Sequence, residues 1–251
     1  MEIERIDAPA RGEFEQRWVR PAIPVVIRGA MEDWPARALW SVDYFTRRFG
    51  EQPVPVARTA ERRVVHGPRT GFVFSEQRLA DYLARPEGYV MFLLHQYVRE
   101  LAEDVRTPSF CPETRWAIRK LWLSPADTRS PLHQDLPDNL YAQVIGRKKV
   151  TLISPAETRH LYRQPIYSKE PQVSRVDAEA PDYDAYPKFR RARPLTLVLE
   201  PGELLYLPRR WWHQMRSIDF SASLNYWWAT GATYWLVRAA LAYQKVRALR
   251  Y

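Results

Sequence analysis

A mainly β domain with helices at both ends is what this sequence predicts, and three observations predict it. From Ser130 onward the chain shows period-2 runs, including Asn139-Leu140-Tyr141-Ala142-Gln143-Val144 and Leu195 to Leu199. Gly146-Arg147 and Pro201-Gly202 separate such runs at hairpin spacing. The two ends carry helical spacing instead. Phe14, Trp18 and Val19 share a face near the start, and Trp235, Ala239, Ala242, Val246 and Leu249 form a stripe at the end.

In order, residues 1–20 read as a short helical lead-in. Pro21 and Pro24 bracket a buried strand, Val25-Val26-Ile27, which stops at Arg28-Gly29, and a turn follows at Trp34-Pro35. Ser41 can cap a helix through Tyr44, Phe45 and Phe49, ended by Gly50. Val54 to Val65 reads as strands, and Ser75 as the cap of a second helix, Leu79 to Leu83. Arg115 to Leu123 is a strand of large side chains, among them Trp116, Ile118 and Trp122.

Asn139–Val144 and Lys148–Ile153 form a hairpin. Residues 165–194 are polar and poorly periodic, which suits a loop covering a site. Leu195–Leu199, Glu203–Leu207 and Phe220–Trp228 are further strands, and the helix from Ala232 closes the chain. The chain therefore reads as one domain. Residues 1–129 give supporting helices and strands, 130–228 a barrel core and 229–251 a C-terminal helix.

With 251 residues, 46% of them hydrophobic, the chain can bury a core without disulfides. Cys111 is the only cysteine, so no internal disulfide forms, which favours a reducing, cytoplasmic setting. The charged opening Met1-Glu2-Ile3-Glu4-Arg5 lacks the apolar core of a signal peptide, and no apolar run is long enough to span a membrane. The net charge of +9 comes mostly from Arg scattered through the chain. Scatter points away from a nucleic-acid surface, which needs a clustered stripe, and leaves that partner open.

Chemistry concentrates in a few residues. On an extended chain, His133 and Asp135 point to one face and can reach one cation. His213 follows the strand ending at Leu207-Pro208, where a barrel can bring it opposite that pair. Two imidazoles and one carboxylate that leave a metal face open suit Fe(II) and O2. Lys148 shares a face with Val150 and Leu152, and a core-facing Lys requires a partner such as a ligand carboxylate. The alternation also permits Lys149 to be the inward residue, since Thr151 and Ile153 can equally face the core.

Ser130-Pro131-Leu132-His133-Gln134-Asp135, Asn139 and Gln143-Val144-Ile145-Gly146-Arg147-Lys148 together resemble the JmjC-domain, cupin-like oxygenases. The likeness is greatest to the small JmjC-only hydroxylases, including the asparaginyl hydroxylase acting on hypoxia-inducible factor. Ser174 to Asp177, Pro201-Gly202-Glu203, Trp211-Trp212-His213 and Ser221 to Trp228 extend the resemblance, as do Arg20-Pro21 and Ile27-Arg28-Gly29.

The resemblance implies a double-stranded β-helix, the jelly-roll or cupin barrel. It implies Fe(II) on His133, Asp135 and His213, with 2-oxoglutarate and O2 as cosubstrates. Lys148 and Ser130 would hold the far carboxylate of 2-oxoglutarate, Asn139 and Asn225 would lie near its chelating end, and Trp227 would form a wall. The family often adds a Tyr from an earlier strand; here that stretch reads Tyr89 to Gln96, with Met91 near the Tyr position. The implied activity is hydroxylation of a protein or peptide side chain. The alternatives are a small-molecule hydroxylase and a non-catalytic binding barrel. The C-terminal stripe fits a homodimer interface and packing on the chain's own barrel equally.

Three further His are weighed as non-ligands. His95 reads as a core residue, and His66 and His160 as exposed ones.

Overall fold

The computed structural model describes residues 2–57, 59–60, 63–64, 74–93, 99–112, 114, 117–168 and 170–249. Its strands are β1 (Arg5–Asp7), β2 (Val25–Arg28), β3 (Pro53–Ala57), β4 (Thr59–Ala60), β5 (Arg63–Val64), β6 (Phe74–Arg78), β7 (Tyr89–Leu93) and β8 (Ala117–Ser124). Then come β9 (His133–Gln134), β10 (Asp138–Ile145), β11 (Lys148–Ile153), β12 (Leu195–Leu199), β13 (Leu204–Leu207), β14 (Trp212–Ser217) and β15 (Ser221–Trp228). The α-helices are α1 (Arg11–Phe14), α2 (Ala36–Leu39), α3 (Val42–Phe49), α4 (Leu79–Ala84) and α5 (Gly231–Leu249).

Two sheets make the barrel. The larger has the order β1-β2-β13-β10-β15-β8-β7-β3-β6 and the smaller β12-β11-β14-β9. All pairings within the smaller sheet are antiparallel, as are those of β10 with β13 and β15. This is a jelly-roll of the cupin type.

Both faces of β10 are covered, which is why seven of its eight residues are buried. Leu140, Ala142 and Val144 join a core shared with Phe14, Trp18 and Phe45 from the N-terminal helices. Tyr141 points the other way, into the space between the sheets, where Val150, Leu152, Leu199, Leu207 and Met215 meet. The smaller sheet is covered in turn. Ile153 and Trp212 pack with Leu161, Val176 and Phe189 of the 165–194 region and its approach. Gly146 makes the β10–β11 turn at φ 66°, and a Cβ there would lie 2.1 Å from the carbonyl oxygen of Phe220. Glycine alone fits both constraints.

Several expected elements recur with the expected chemistry. Ser41 caps α3 by accepting a hydrogen bond from the Tyr44 amide, and Gly50 ends it. Others differ. Arg5–Asp7 is a strand parallel to β2, so the lead-in turns helical only at Arg11. Ser75 is not a cap. It lies in β6, whose pairing with β3 keeps the chain extended to Arg78, the residue preceding α4. Arg115, Trp116, His66, Val65 and His95 lie outside the described residues, as do the side chains of Tyr89 and Met91. His160 is half-buried rather than exposed, at the end of a 3-10 turn.

Of the stripe foreseen on α5, Trp235, Ala239 and Ala242 are exposed, and the side chains of Val246 and Leu249 lie outside the described ones. Among the described side chains of α5, Val237 is buried, whereas Trp235 is 70% and Leu236 61% exposed. Among the described residues, no helix is long and apolar enough to cross a membrane.

Candidate metal centre and its cavity

His133 on β9 pairs directly with His213 on β14 across an antiparallel register. Asp135, two residues on from His133, projects to the same place, and one ligand atom from each of the three lies within 4.8 Å of the others. His213 Nε2 is 3.8 Å from Asp135 Oδ2.

Hydrogen bonds fix how each group is presented. His133 Nδ1 is 2.9 Å from the Pro131 carbonyl and His213 Nδ1 3.0 Å from the Trp211 carbonyl. A carbonyl can only accept, so each Nδ1 carries the proton and each Nε2 keeps its lone pair for the centre. Burial, with His133 beside it, holds the His213 pKa well below its ordinary value, which keeps the ring neutral. Trp227 Nε1 donates to Asp135 Oδ2 at 3.0 Å and so orients the carboxylate. Two neutral imidazoles and one carboxylate on one side of a point form a donor set fitted to a divalent first-row metal with open positions.

The three groups border a cavity of about 240 Å³. Ser130, Asn139, Lys148, Asn225 and Trp227, the other residues singled out from sequence, all line it. Lys148 settles the register of β11. It points inward with Val150 and Leu152, whereas Lys149 points outward and pairs with Glu179 at 3.0 Å.

Lys148 is 3% exposed. Its Nζ is 3.4 Å from Ser124 Oγ and 5.6 Å from the centre of the Tyr141 ring. Burial pulls its pKa down to about 7, and among the described residues no carboxylate pairs with it. A buried ammonium with one long hydrogen bond is a site that a ligand carboxylate would complete. Nearby, Ser130 Oγ accepts from the Met215 amide at 2.9 Å, which leaves its own proton available to the cavity. Asn225 Nδ2 donates to Asn139 Oδ1 at 3.0 Å, and Asn225 Oδ1 is buried without a hydrogen-bond partner among the described residues.

The same cavity takes Lys120, Trp122 and Tyr141, which sequence reasoning did not single out for the site. Lys120 lies over the Trp227 ring, 5.2 Å from its centre. Burial lowers its pKa and Asp135 works against that shift.

The 165–194 region shapes the rim through Glu170, Gln172 and Val173. It is bonded to the barrel. Gln134 N donates to Gln172 O at 3.0 Å and Ser174 N to Leu132 O at 2.8 Å, so the segment adds to β9 as an extra edge. Beyond it Glu179 meets Lys149, Arg216 at 3.1 Å and Arg129 at 3.8 Å. Ile166 and Tyr167 stand clear of the barrel, each 81% exposed.

A family model described as a cupin-like domain matches residues 11–234. The chain belongs to the cupin-like domain family. Among the similar proteins, lysine-specific demethylase 8 of Xenopus tropicalis is 34% identical over 242 residues, covering 90% of this chain and 53% of that protein. Its Danio rerio counterpart is 33% identical over 246 residues, covering 91% and 58%. The tRNA wybutosine-synthesizing protein 5 of Gallus gallus is 28% identical over 251 residues, covering 91% and 77%. The chain thus spans little more than half the length of the two demethylases. The match to a cupin-like model fits the barrel, and the residues of the metal centre lie inside the matched segment.

Proposed function

We propose that this cupin-like domain is an Fe(II)- and 2-oxoglutarate-dependent oxygenase that hydroxylates a side chain of a protein or peptide. One observation carries the reading. A cavity with His133, Asp135 and His213 on its wall also contains Lys148, a buried ammonium awaiting a carboxylate. A metal site alone would have no use for that lysine.

In this reading His133 Nε2, Asp135 and His213 Nε2 hold the iron. Lys148 and Ser130 hold the far carboxylate of 2-oxoglutarate, and Asn139 and Asn225 flank its chelating end. Iron, 2-oxoglutarate and O2 together supply an oxidant that inserts oxygen into a C–H bond. The chain's own residues orient these groups: Trp227 steadies Asp135, the Pro131 and Trp211 carbonyls fix the two imidazoles, and the apolar cluster around Leu152 and Met215 keeps water out. No side chain acts as a general base.

The resemblance to the JmjC-only hydroxylases supports a protein or peptide substrate, and the relatives' names allow either protein or tRNA. A small-molecule substrate is the second reading. A cavity of about 240 Å³ is at the small end for ligand sites, and beside a five-carbon diacid it leaves room for one side chain or one small molecule. A homodimer through α5, resting on exposed Trp235 and Leu236, and a cytoplasmic setting complete the proposal.

The test is turnover without a known substrate. Purified protein with Fe(II), 2-oxoglutarate and ascorbate should release succinate above a metal-free control, and the Lys148→Ala variant should not at the same 2-oxoglutarate concentration. Equal background from both proteins would overturn the reading.

A further inference from the structure

The metal centre is built where the chain crosses between the two sheets, and two crossings contribute to it. One leaves β9 after Gln134, runs through Asp135, Leu136 and Pro137, and enters β10 at Asp138. The other leaves β13 at Leu207, runs through Pro208, Arg209, Arg210 and Trp211, and enters β14, which carries His213. His133 and Asp135 thus come with the first crossing and His213 with the second. Direct pairing joins β9 to β14 through Gln134 with Trp212 and His133 with His213. A ladder of two residue pairs sets the spacing of the ligands weakly.

At the other end of the crossings a carboxylate does the joining. β10 and β13 pair as far as Asn139 with Leu207. The next position would set Asp138 against Pro208, which has no amide proton to give. The Asp138 side chain takes up the following amide instead: its Oδ1 accepts from Arg209 N at 3.0 Å and from Tyr206 Oη at 2.9 Å. Asp138 is 3% exposed. The next amide along, Arg210 N, donates to the Asp135 carbonyl at 2.8 Å. Arg210 adopts φ 67°, a left-handed conformation uncommon outside glycine. Its side chain is exposed, so the conformation goes with the inward-facing amide and not with side-chain packing. Trp211 follows, and its carbonyl accepts from His213 Nδ1 at 3.0 Å.

We propose that Asp138 is a positioning residue for the metal centre. Its buried carboxylate holds the Arg209 amide, which aims the Arg210 amide at Asp135 and sets the second crossing against the first. The two crossings then present His133, Asp135 and His213 at one fixed spacing. The inference rests on the reading of these three residues as metal ligands. What Asp138 supplies is an acceptor at a fixed place, and its charge is secondary: the guanidinium of Arg209 lies 3.5 Å from Oδ2 and is 42% exposed. A metal site whose ligands come from two separate crossings depends on such a hold, because groups behind the ligands orient them.

The experiment measures Mn(II) affinity by electron paramagnetic resonance under nitrogen, beside the urea midpoint of the metal-free protein, in four variants. Asp138→Asn keeps the acceptor oxygen and removes the charge, and its Mn(II) affinity should stay within about threefold of the wild type. Asp138→Glu keeps the charge and moves the acceptor by one carbon–carbon bond, about 1.5 Å. Asp138→Ala removes the acceptor. Both should weaken Mn(II) binding at least about tenfold, the scale on which groups behind a ligand tune a metal site. Arg209→Ala removes the half-exposed guanidinium but keeps the amide, and should also stay within about threefold of the wild type.

A merely structural Asp138 would lower the urea midpoint of Asp138→Ala and leave the Mn(II) affinity of the folded protein unchanged, and that result would overturn the inference. So would an order set by charge, with Asp138→Glu near the wild type and Asp138→Asn as weak as Asp138→Ala, or an Arg209→Ala loss as large as that of Asp138→Ala. Hydrogen exchange in the wild type needs no substitution. The Arg209 and Arg210 amides should exchange at least about a hundredfold more slowly than in a short unstructured peptide, and unprotected amides would overturn the inference even if no variant folded. Wild-type protein that binds no Mn(II) would overturn the metal centre itself and this inference with it, whereas wild-type binding matched by Asp138→Ala would overturn the inference alone.

Discussion

His133 and His213 face each other across one antiparallel pair, ring centres 4.1 Å apart, and each bonds through Nδ1 to the carbonyl two residues before it. Pro131 and Trp211 thereby set the same tautomer on both rings, and both Nε2 atoms are left for a cation. Removing either ring should therefore act on metal binding before it acts on the fold. His133→Ala and His213→Ala should each lose detectable Mn(II) binding in a titration followed by electron paramagnetic resonance, with the circular dichroism of the wild type retained. Stoichiometric binding by either variant would place the metal elsewhere.

Trp227 tests the layer behind the ligands. Trp227→Phe keeps the ring but removes the proton that Trp227 Nε1 gives to Asp135 Oδ2. Orienting groups of this kind are worth about 10–100-fold in metal affinity. The same titration should show that loss.

Lys148 and Lys149 differ by one residue and by the face they occupy. Lys148→Ala should raise the 2-oxoglutarate dissociation constant by the equivalent of about 2–5 kcal/mol, the loss expected when a charge-assisted bond to a buried carboxylate is removed. Lys149→Ala should leave that constant unchanged, because its ammonium lies outside against Glu179. Calorimetry on the Mn(II) form measures both.

Without cosubstrate, Lys148 works against the fold. Its pKa falls from 10.5 to about 7 on folding. Between those values the unfolded chain binds the extra proton, so stability rises with pH across that window and the full penalty applies below about pH 7. Lys148→Met should therefore be more stable than the wild type by a few kcal/mol at pH 6. The advantage should shrink steadily towards pH 10. Urea unfolding at the two pH values reads this directly, and an advantage that grew with pH would contradict it.

Glu179 anchors the rim segment to the barrel through Lys149, Arg216 and Arg129. The cations are each about 30% exposed, so solvent screens part of the attraction. Glu179→Gln should cost about 1–3 kcal/mol of stability, less than the loss of a fully buried partner. Hydrogen exchange should show faster opening of residues 170–179 than of β10.

Much of this site was legible in the sequence because its residues break local rules. His133 and Asp135 share a face by spacing alone, and Lys148 stands out as a charge beside Val150 and Leu152. The choice between Lys148 and Lys149 stayed open because β11 is covered on both faces: Thr151 and Ile153 are as buried as Val150 and Leu152, so no polar alternation marks the inner side.

Lys120 was missed for a related reason. In Ala117 to Ser124 apolar residues and cations fall on both faces, and only the packing of Leu121 and Leu123 into the main core shows which side faces the cavity. Ser75 was misread because a good cap residue says nothing about the partner strand, and pairing with β3 carried the chain past it. On α5 the described part of the stripe, Trp235, Ala239 and Ala242, is exposed, whereas Val237, which lies off it, is buried.

The most direct test of the central claim is an anaerobic crystal structure with Mn(II) and 2-oxoglutarate. It should show one metal within roughly 2.0–2.3 Å of His133 Nε2, an Asp135 carboxylate oxygen and His213 Nε2, a range bracketed by zinc and magnesium ligand distances. The far carboxylate of 2-oxoglutarate should lie against Lys148 Nζ. Metal bound at any other set of side chains, or 2-oxoglutarate absent from the cavity at saturating concentration, would contradict the account.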